Sequence, residues 1–392
     1  MLLKFLGRYK NIALLIILFI FLFSASFYIS YKIMNFKNVP AFTEVEINTS
    51  HSPEDKSQND KLSTDTKILE VSNTPKISEI ILSSVGDCTI GWDDQFSYSG
   101  SLGDIFDKNN KDFSYFFKNS ADIFKNDDIT TANLETVFTT SSVKAKKEFT
   151  FKAPPEFSKI LSAGYVEGVT LSNNHTKDYL EQGFIDTKNA LDNENINYFG
   201  EGKKWITEVK GVNFGFLGYK GYGYDNTFLK TLKNDIETLK NKGYVVIINF
   251  HWGDENSYYP NNIQKFLAHY SVDNGADLII GHHPHVIQGI ENYKGKFIAY
   301  SLGNFAFGGN KNPKDKDTLI FQTKFKFEDK KLKAYGIKVI PYSISSVSNY
   351  NDYCPTPLIN TQKESFLKKI NELSSNLNFE LKDEFFFIDV NN

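Results

Sequence analysis

Between residues 77 and 301 the chain returns again and again to one pattern: a short apolar run that stops abruptly at a cluster of Gly, Asn, Asp, Glu or His. Runs at 77–85, 129–132, 166–171, 244–250, 276–280 and 297–301 read as strands. The fourth, Tyr244 to Phe250, is apolar almost throughout, as expected of a strand buried on both faces. Helical spacing separates them. Phe113, Phe116, Phe117 and Phe124 recur near a three/four period, residues 181–194 suggest a helix, and Ile263, Phe266, Leu267 and Tyr270 mark another within 261–274. Strands alternating with helices predict an α/β domain, read at this level as an open sheet. Residues 205–219 and 317–341 alternate as antiparallel hairpins, and 363–375 predicts a late helix. No internal repeat is visible.

The ends of five of these strands carry the chemistry. They are Gly86-Asp87, Asn133-Leu134-Glu135, Ser172-Asn173-Asn174-His175, His251-Trp252-Gly253-Asp254-Glu255 and Gly281-His282-His283-Pro284-His285. Ligands of α/β sheets sit outside the carboxyl ends of the strands, so the five clusters are expected to converge on one crevice. Each has a plain structural reading on its own. Gly86-Asp87 can be a turn, Asn133 with Glu135 a helix-capping pair, Asn173-Asn174 a left-handed turn and His251 a satisfied core histidine. Three imidazoles within His282 to His285 have no ordinary structural use, and His is the commonest metal ligand. Five of the chain's seven histidines fall in these loops; His51 reads as a solvated linker residue and His269 as a packing or surface residue.

Carboxylates, an amide oxygen and neutral imidazoles suit manganese, zinc or iron. Two such ions would need an anionic bridge, for which Asp87 or Glu135 is the candidate, and they would activate water near neutral pH. His175 could protonate a leaving group. The two cysteines exclude a Cys₄ zinc site and a disulfide-stapled scaffold. Cys88 and Cys354 leave one disulfide open.

The amino terminus is of another kind. Ile12 to Tyr31 carries no charge and is long enough to span a hydrocarbon core as a helix. Lys4, Arg8 and Lys10 precede it, which favours an N-inside orientation. The rival reading is a cleaved signal peptide with Ser24-Ala25-Ser26 as its small-residue site. Either one exports the rest of the chain. The expected organisation is an anchor at 1–37, a polar disordered linker at 38–76 and a folded extracellular domain at 77–392. Residues 1–37 hold five of the 44 basic side chains and no acidic ones, leaving 39 basic against 47 acidic beyond them, a net charge of −8. An acidic domain argues against nucleic acid as a partner.

Taken in order, Gly86-Asp87, Asn133-Leu134-Glu135, Ser172 to His175, His251-Trp252-Gly253, Gly281 to His285 and Ser301-Leu302-Gly303-Asn304-Phe305 resemble the CapA-type capsule-synthesis family, linked to bacterial poly-γ-glutamate biosynthesis. The likeness covers about residues 79–310. That family is similar to the calcineurin-like metallophosphoesterases, and the resemblance implies a four-layer α/β/β/α sandwich in place of an open sheet. It implies metal ligation by Asp87, Glu135, Asn174, His251, His283 and His285, and catalytic roles for His175, Asp87 and Glu135. Two departures stand out. The phosphoesterase Asp-x-His reads Asp87-Cys88-Thr89, one imidazole short, and the second motif lacks its Gly-Asp pair. The implied function is a membrane-anchored, metal-dependent hydrolase or transferase acting on an anionic capsule polymer or a phosphate ester. The alternative is a non-catalytic accessory subunit of a capsule synthase or export complex. The implied partners are the membrane, the polymer and the synthase or export subunits.

Overall fold

The structure is a computed structural model that describes residues 76–389. The expected anchor and, but for Lys76, the expected linker lie outside the described residues, as does His51. Among the described residues no helix is long and apolar enough to cross a membrane.

The first half of the domain begins with β1 (Ile77–Cys88), whose last seven residues are all buried. It is followed by α1 (Leu102–Lys108), a short 3-10 turn at Phe113–Phe117 and α2 (Ala121–Lys125). Next come β2 (Ile129–Leu134), the two-residue pair β3 (Val137–Phe138) and β4 (Lys152–Ala153), α3 (Lys159–Ala163), β5 (Gly168–Thr170), α4 (Leu180–Asn193) and β6 (Asn197–Phe199). The hairpin expected at 205–219 is β7 (Trp205–Val209) and β8 (Val212–Gly221). Then follow α5 (Asn226–Lys240), β9 (Val245–Trp252), α6 (Asn262–Asp273), β10 (Leu278–His282), β11 (Ile290–Tyr293) and β12 (Lys296–Ala299). The second hairpin is β13 (Asp317–Glu328) and β14 (Lys331–Ser343), and the described chain closes with β15 (Thr356–Pro357), α7 (Asn360–Leu373) and β16 (Phe386–Asp389).

These strands make two large sheets where the strand pattern alone suggested one open sheet. One runs β15-β14-β13-β1-β2-β5-β6 with β16 against β14, and the other β11-β12-β10-β9-β8-β7. In the first, β1, β2, β5 and β6 are parallel, so their carboxyl ends lie side by side. In the second, β8, β9, β10 and β12 are parallel in the same way. One apolar cluster takes side chains from both sheets: Ile80 and Leu82 of β1, Phe214 and Phe216 of β8, Ile247 of β9, Ile280 of β10, and Phe321 and Phe325 of β13. Two further clusters lie on other faces. Val85, Ala132 and Val169 pack with Phe106, Phe124, Ile160 and Leu191 from α1 to α4, while Val246, Ile248 and Ile279 pack with Leu232, Ile236 and Leu267 from α5 and α6. The mixed α/β class therefore holds. Side chains alternate between faces along a strand, so β1, β2, β9 and β10 each feed two clusters, and every fully buried Leu, Ile or Phe contributes roughly 1.5–3 kcal/mol.

Helix α5 was not read from the sequence. Only Leu232, Ile236 and Leu239 of its residues are buried, a narrow stripe in a segment rich in Lys, Asn, Glu and Thr; Asp225 caps it by accepting from the Phe228 N–H at 2.7 Å. The aromatic spacing at 113–124 predicted a helix and is broken by the Lys118–Ser120 turn into a 3-10 turn and α2. Cys88 and Cys354 are separate buried free thiols, so the disulfide left open by the sequence does not form. Burial pushes both thiols up to about 12, which keeps them protonated.

Candidate metal centre

The clusters meet at the carboxyl ends of β1, β2, β5, β9 and β10. Asp87 and Asn133 face one another across the β1–β2 pairing, and His251 and His282 do so across β9–β10. The two sheets join here through buried amides. Asn133 Nδ2 donates to Asp87 Oδ1 at 2.8 Å and to His251 Nδ1 at 3.1 Å, while its Oδ1 accepts from Asn173 Nδ2 at 3.0 Å. Asn173 Oδ1 in turn accepts the His175 backbone N–H at 3.0 Å. Asn133 thus sits in a strand and bonds across both sheets, not in a helix cap. Its importance was not legible in a motif where Glu135 draws the eye.

Asp87 and Glu135 are both fully buried, yet their surroundings are opposite. Asp87 accepts from Asn133 Nδ2, from the His283 N–H at 3.1 Å and, on its imidazole side, faces His285 Nδ1 at 3.3 Å and His282 Nδ1 at 3.5 Å. Burial opposes its charge, but His282 and His285 outweigh burial and hold the carboxyl well below the usual carboxylate range. Glu135 has no donor on either oxygen among the described residues. Its Oε1 lies 3.4 Å from His251 Nε2 and 3.9 Å from His285 Nε2. Burial pushes it up to about 7, with the nearby Asp87 adding to the effect and His285 opposing it.

The imidazoles divide likewise. Burial drives His251 well below its ordinary value, and His283 down to about 3, so both are neutral, the form that binds metals. His285 is raised to about 10 despite its burial, by the charges of Glu135 and Asp87. His283 and His285 both have positive φ, 99° and 57°, a left-handed backbone that side chains rarely adopt and that here turns two successive imidazoles inward. His282, one of the three imidazoles of the His282 to His285 cluster and absent from the implied ligand set, is buried, with Nε2 at 3.0 Å from Asn249 Oδ1. Asn174 is exposed at the mouth, and its Oδ1 lies 2.8 Å from His251 Nε2. His269 lies apart, stacked on Tyr293 at 3.8 Å and paired with Glu291 at 3.0 Å.

His175 lines the same cleft as His285 and Asn304. Its Nδ1 lies 2.7 Å from Asp178 Oδ2, and the other oxygen of Asp178 pairs with Lys147 at 2.7 Å. Phe151 packs against the ring at 4.5 Å. Neither Asp178 nor Lys147 was singled out from the sequence; the carboxylate three residues beyond the histidine was the available signal. Tyr222, in the loop after β8, covers His283 edge-on at 5.0 Å.

Glu135, His283 and His285 offer donor atoms that all lie within 4.8 Å of one another. An unpaired buried carboxylate is costly, and His283 Nδ1 is likewise buried without a partner among the described residues. A divalent cation answers both needs, so the residues present fit a metal.

The family model described as "Bacterial capsule synthesis protein PGA_cap" matches residues 81–309, a span that holds every residue of this centre. The chain belongs to that family. The family lies within the metallophosphoesterase-like superfamily. Among its relatives, the PGA biosynthesis protein CapA of Bacillus subtilis (strain 168) is 32% identical over 286 residues, covering 67% of this chain and 72% of its own. The capsule biosynthesis protein CapA of Bacillus anthracis is 30% identical over 220 residues, 49% of this chain and 54% of the relative. A probable polyglutamine synthesis accessory protein of Mycobacterium tuberculosis is 24% identical over 232 residues, 50% of this chain and 61% of the relative.

Proposed function

We propose that this is a membrane-anchored protein of capsule-polymer biosynthesis, of the poly-γ-glutamate type, whose domain works outside the cell as a metal-dependent hydrolase or transferase. The substrate is the polymer or a phosphate ester. The names of the Bacillus relatives support the pathway, and the apolar run Ile12 to Tyr31 supports the anchor. Two sheets sharing one apolar cluster, with helices packed on further clusters, support a four-layer sandwich of the calcineurin-like metallophosphatase type. The observation that carries the proposal is the Glu135 carboxylate, buried without a donor and facing His251 and His285.

One or two divalent cations, manganese, zinc or iron, would be held by Glu135, His283 and His285, with Asp87, Asn174 and His251 around them. A bound cation would supply Lewis acidity and neutralise charge developing on an attacked carbonyl or phosphoryl group. The chain's own residues do the rest. Asp178 holds His175 by Nδ1, leaving Nε2 free to deliver a proton to a leaving group. The cleft in front of them, about 1510 Å³, exceeds the roughly 300–1,000 Å³ of a small-ligand site and has room for a length of polymer. Four lysines and four carboxylates line it, so the acidic excess of the domain is not concentrated where an anionic chain would lie.

The test is metal analysis of the purified full-length protein, followed by polymer yield in cells carrying Glu135→Gln or His175→Ala. Bound divalent metal in the wild type, and polymer lost in both variants at normal protein levels, is the expected result. The accessory reading draws on the missing imidazole at Thr89 and on the printed name of the mycobacterial relative. Full polymer yield from a stable, metal-poor Glu135→Gln protein would favour it.

A further inference from the structure

We infer that the cleft beyond His175 is a binding lane for an extended polymer that carries carboxylates on an apolar backbone. Lys311 and Lys314 take the negative charge, and the Phe96–Phe149 pair takes the methylenes. The inference deepens the polymer reading above and rests on it.

The lane starts beside His175. Phe151 packs on that ring at 4.5 Å, and Phe149, two residues earlier in the same segment, stacks on Phe96 with ring centres 6.2 Å apart. Phe96 is 57% exposed and Phe149 41%, and both line the cleft. Adjacent large apolar side chains left exposed in a cleft mark a contact surface for a ligand with apolar atoms. Ser97 follows Phe96, and its carbonyl accepts from Lys311 Nζ at 2.6 Å, as does that of Ser99. Lys311 is thereby fastened next to the rings. Its backbone is fixed as well. The buried Asn351 donates through Nδ2 to the Phe307 and Asn310 carbonyls at 2.9 and 3.1 Å, and its N–H donates to the Lys311 carbonyl at 2.8 Å. A wall held this firmly loses little freedom when a ligand arrives.

The lysines of the cleft are not all matched by its acids. Asp93 accepts from the Gln95 and Thr150 N–H groups, each at 2.9 Å, and Asp315 and Asp317 share Lys369 at 2.9 and 2.8 Å. Glu255 lies toward the metal centre, where the N–H of the next residue, Asn256, donates to the Pro284 carbonyl at 2.8 Å. Lys316 spends its donors on the carbonyls of Val347, Ser348 and Tyr350. An ammonium has three hydrogens to give, so Lys311 keeps a free one after serving Ser97 and Ser99. Lys314 is exposed, and neither it nor Lys311 pairs with a carboxylate among the described residues. A small phosphate ester reacting at the metal would carry its charge there and leave these lysines unused. A γ-linked glutamyl chain sets a free carboxylate beside backbone methylenes in every unit, and so presents both parts to the lysines and the rings along one run.

The experiment follows labelled poly-γ-glutamate by fluorescence anisotropy as it binds the full-length protein in detergent, with polyphosphate as the comparison. Wild-type affinity for poly-γ-glutamate should fall as ionic strength rises from about 0.01 M to about 0.15 M, a range over which exposed charges become screened. Lys314→Gln removes an exposed side chain and should weaken binding about twofold to fivefold, with a flatter salt dependence. Phe96→Ser should weaken it without changing the salt dependence, and should leave polyphosphate binding as it was, since polyphosphate has no methylenes. Lys314→Gln and Phe96→Ser proteins that melt and bind poly-γ-glutamate like the wild type would overturn the inference. So would a wild type that does not bind the polymer, or polyphosphate binding that Phe96→Ser weakens equally. None of these touches the metal-dependent reading, which metal content and polymer yield decide. Conversely, full polymer yield from Glu135→Gln together with Lys314-dependent binding would keep the lane and assign it to an accessory protein.

Discussion

At the scale of the residue, the centre shows how much a carboxylate's role depends on what surrounds it. Asp178 is fully buried, and its oxygens serve Lys147, His175 and the Phe151 N–H, the last at 2.6 Å. Removing it leaves a buried N–H unpaired and a lysine without its counter-charge. Asp178→Ala is therefore expected to lower unfolding stability by about 2–4 kcal/mol in a urea titration, with loss of function in the same variant. The neighbouring Lys177–Glu181 pair is a control, because 51% and 62% of those side chains are exposed; Lys177→Ala should change stability by less than about 0.5 kcal/mol. Asp178 was one step away in the sequence from being noticed. It follows a histidine by three residues, but nothing in that spacing says that the pair is buried together. Burial is what makes the bond strong.

At the scale of the element, β1 and the loop 301–305 approach closely because position 86 is glycine. The Asp87 N–H donates to the Gly303 carbonyl at 2.9 Å, and a Cβ on residue 86 would lie 1.9 Å from that oxygen. Backbone cannot swing aside as a side chain can, so Gly86→Ala should cost about 3 kcal/mol or more and lower the melting temperature sharply. Gly223→Ala, with nothing within 4 Å, should be nearly neutral. The turn reading of Gly86-Asp87 is thereby corrected: the glycine lies within a strand and lets Asn304 come up beside Asp87. At the other end of β2, Asp127 is pushed up to about 7 by burial, with Glu167 and Asp128 adding to it against hydrogen bonds from Ser83 and Thr130. Its folded value lies above its unfolded one, so its stabilisation is complete in acid, below the unfolded value, and is lost as pH rises through about 7. Asp127→Asn should match the wild type near pH 4 and be more stable by about 1–3 kcal/mol at pH 8, measured by denaturant midpoints across that range.

At the scale of the whole molecule, two sheets bring five loops to one rim, and the rim borders a cleft of about 1510 Å³. The proposed orientation places that cleft outside the cell on a polar tether. Protease added to intact cells should therefore release the folded domain by cutting within 38–76, as seen by mass spectrometry of the released fragment. Protection of the segment in intact cells, with cleavage after lysis, would reverse the orientation.

The strand runs, both hairpins, the helices at 181–194, 261–274 and 363–375, and the residues gathered at the rim were legible along the chain, because periodicity and abrupt strand ends are local properties. Helix α5 was not, since a three-residue apolar stripe leaves little trace in a polar segment. Periodicity did not show the division into two sheets either, which only the family resemblance implied, because strand partners distant in sequence are chosen by packing. The sharpest limit concerns Asp87 and Glu135. Both are acids that end a strand, and nothing local distinguishes them. Folding surrounds Asp87 with donors and leaves Glu135 with none among the described residues, and a carboxyl group's charge and readiness for a cation are set by the partners around it, which for Asp87 arrive from as far along the chain as His285.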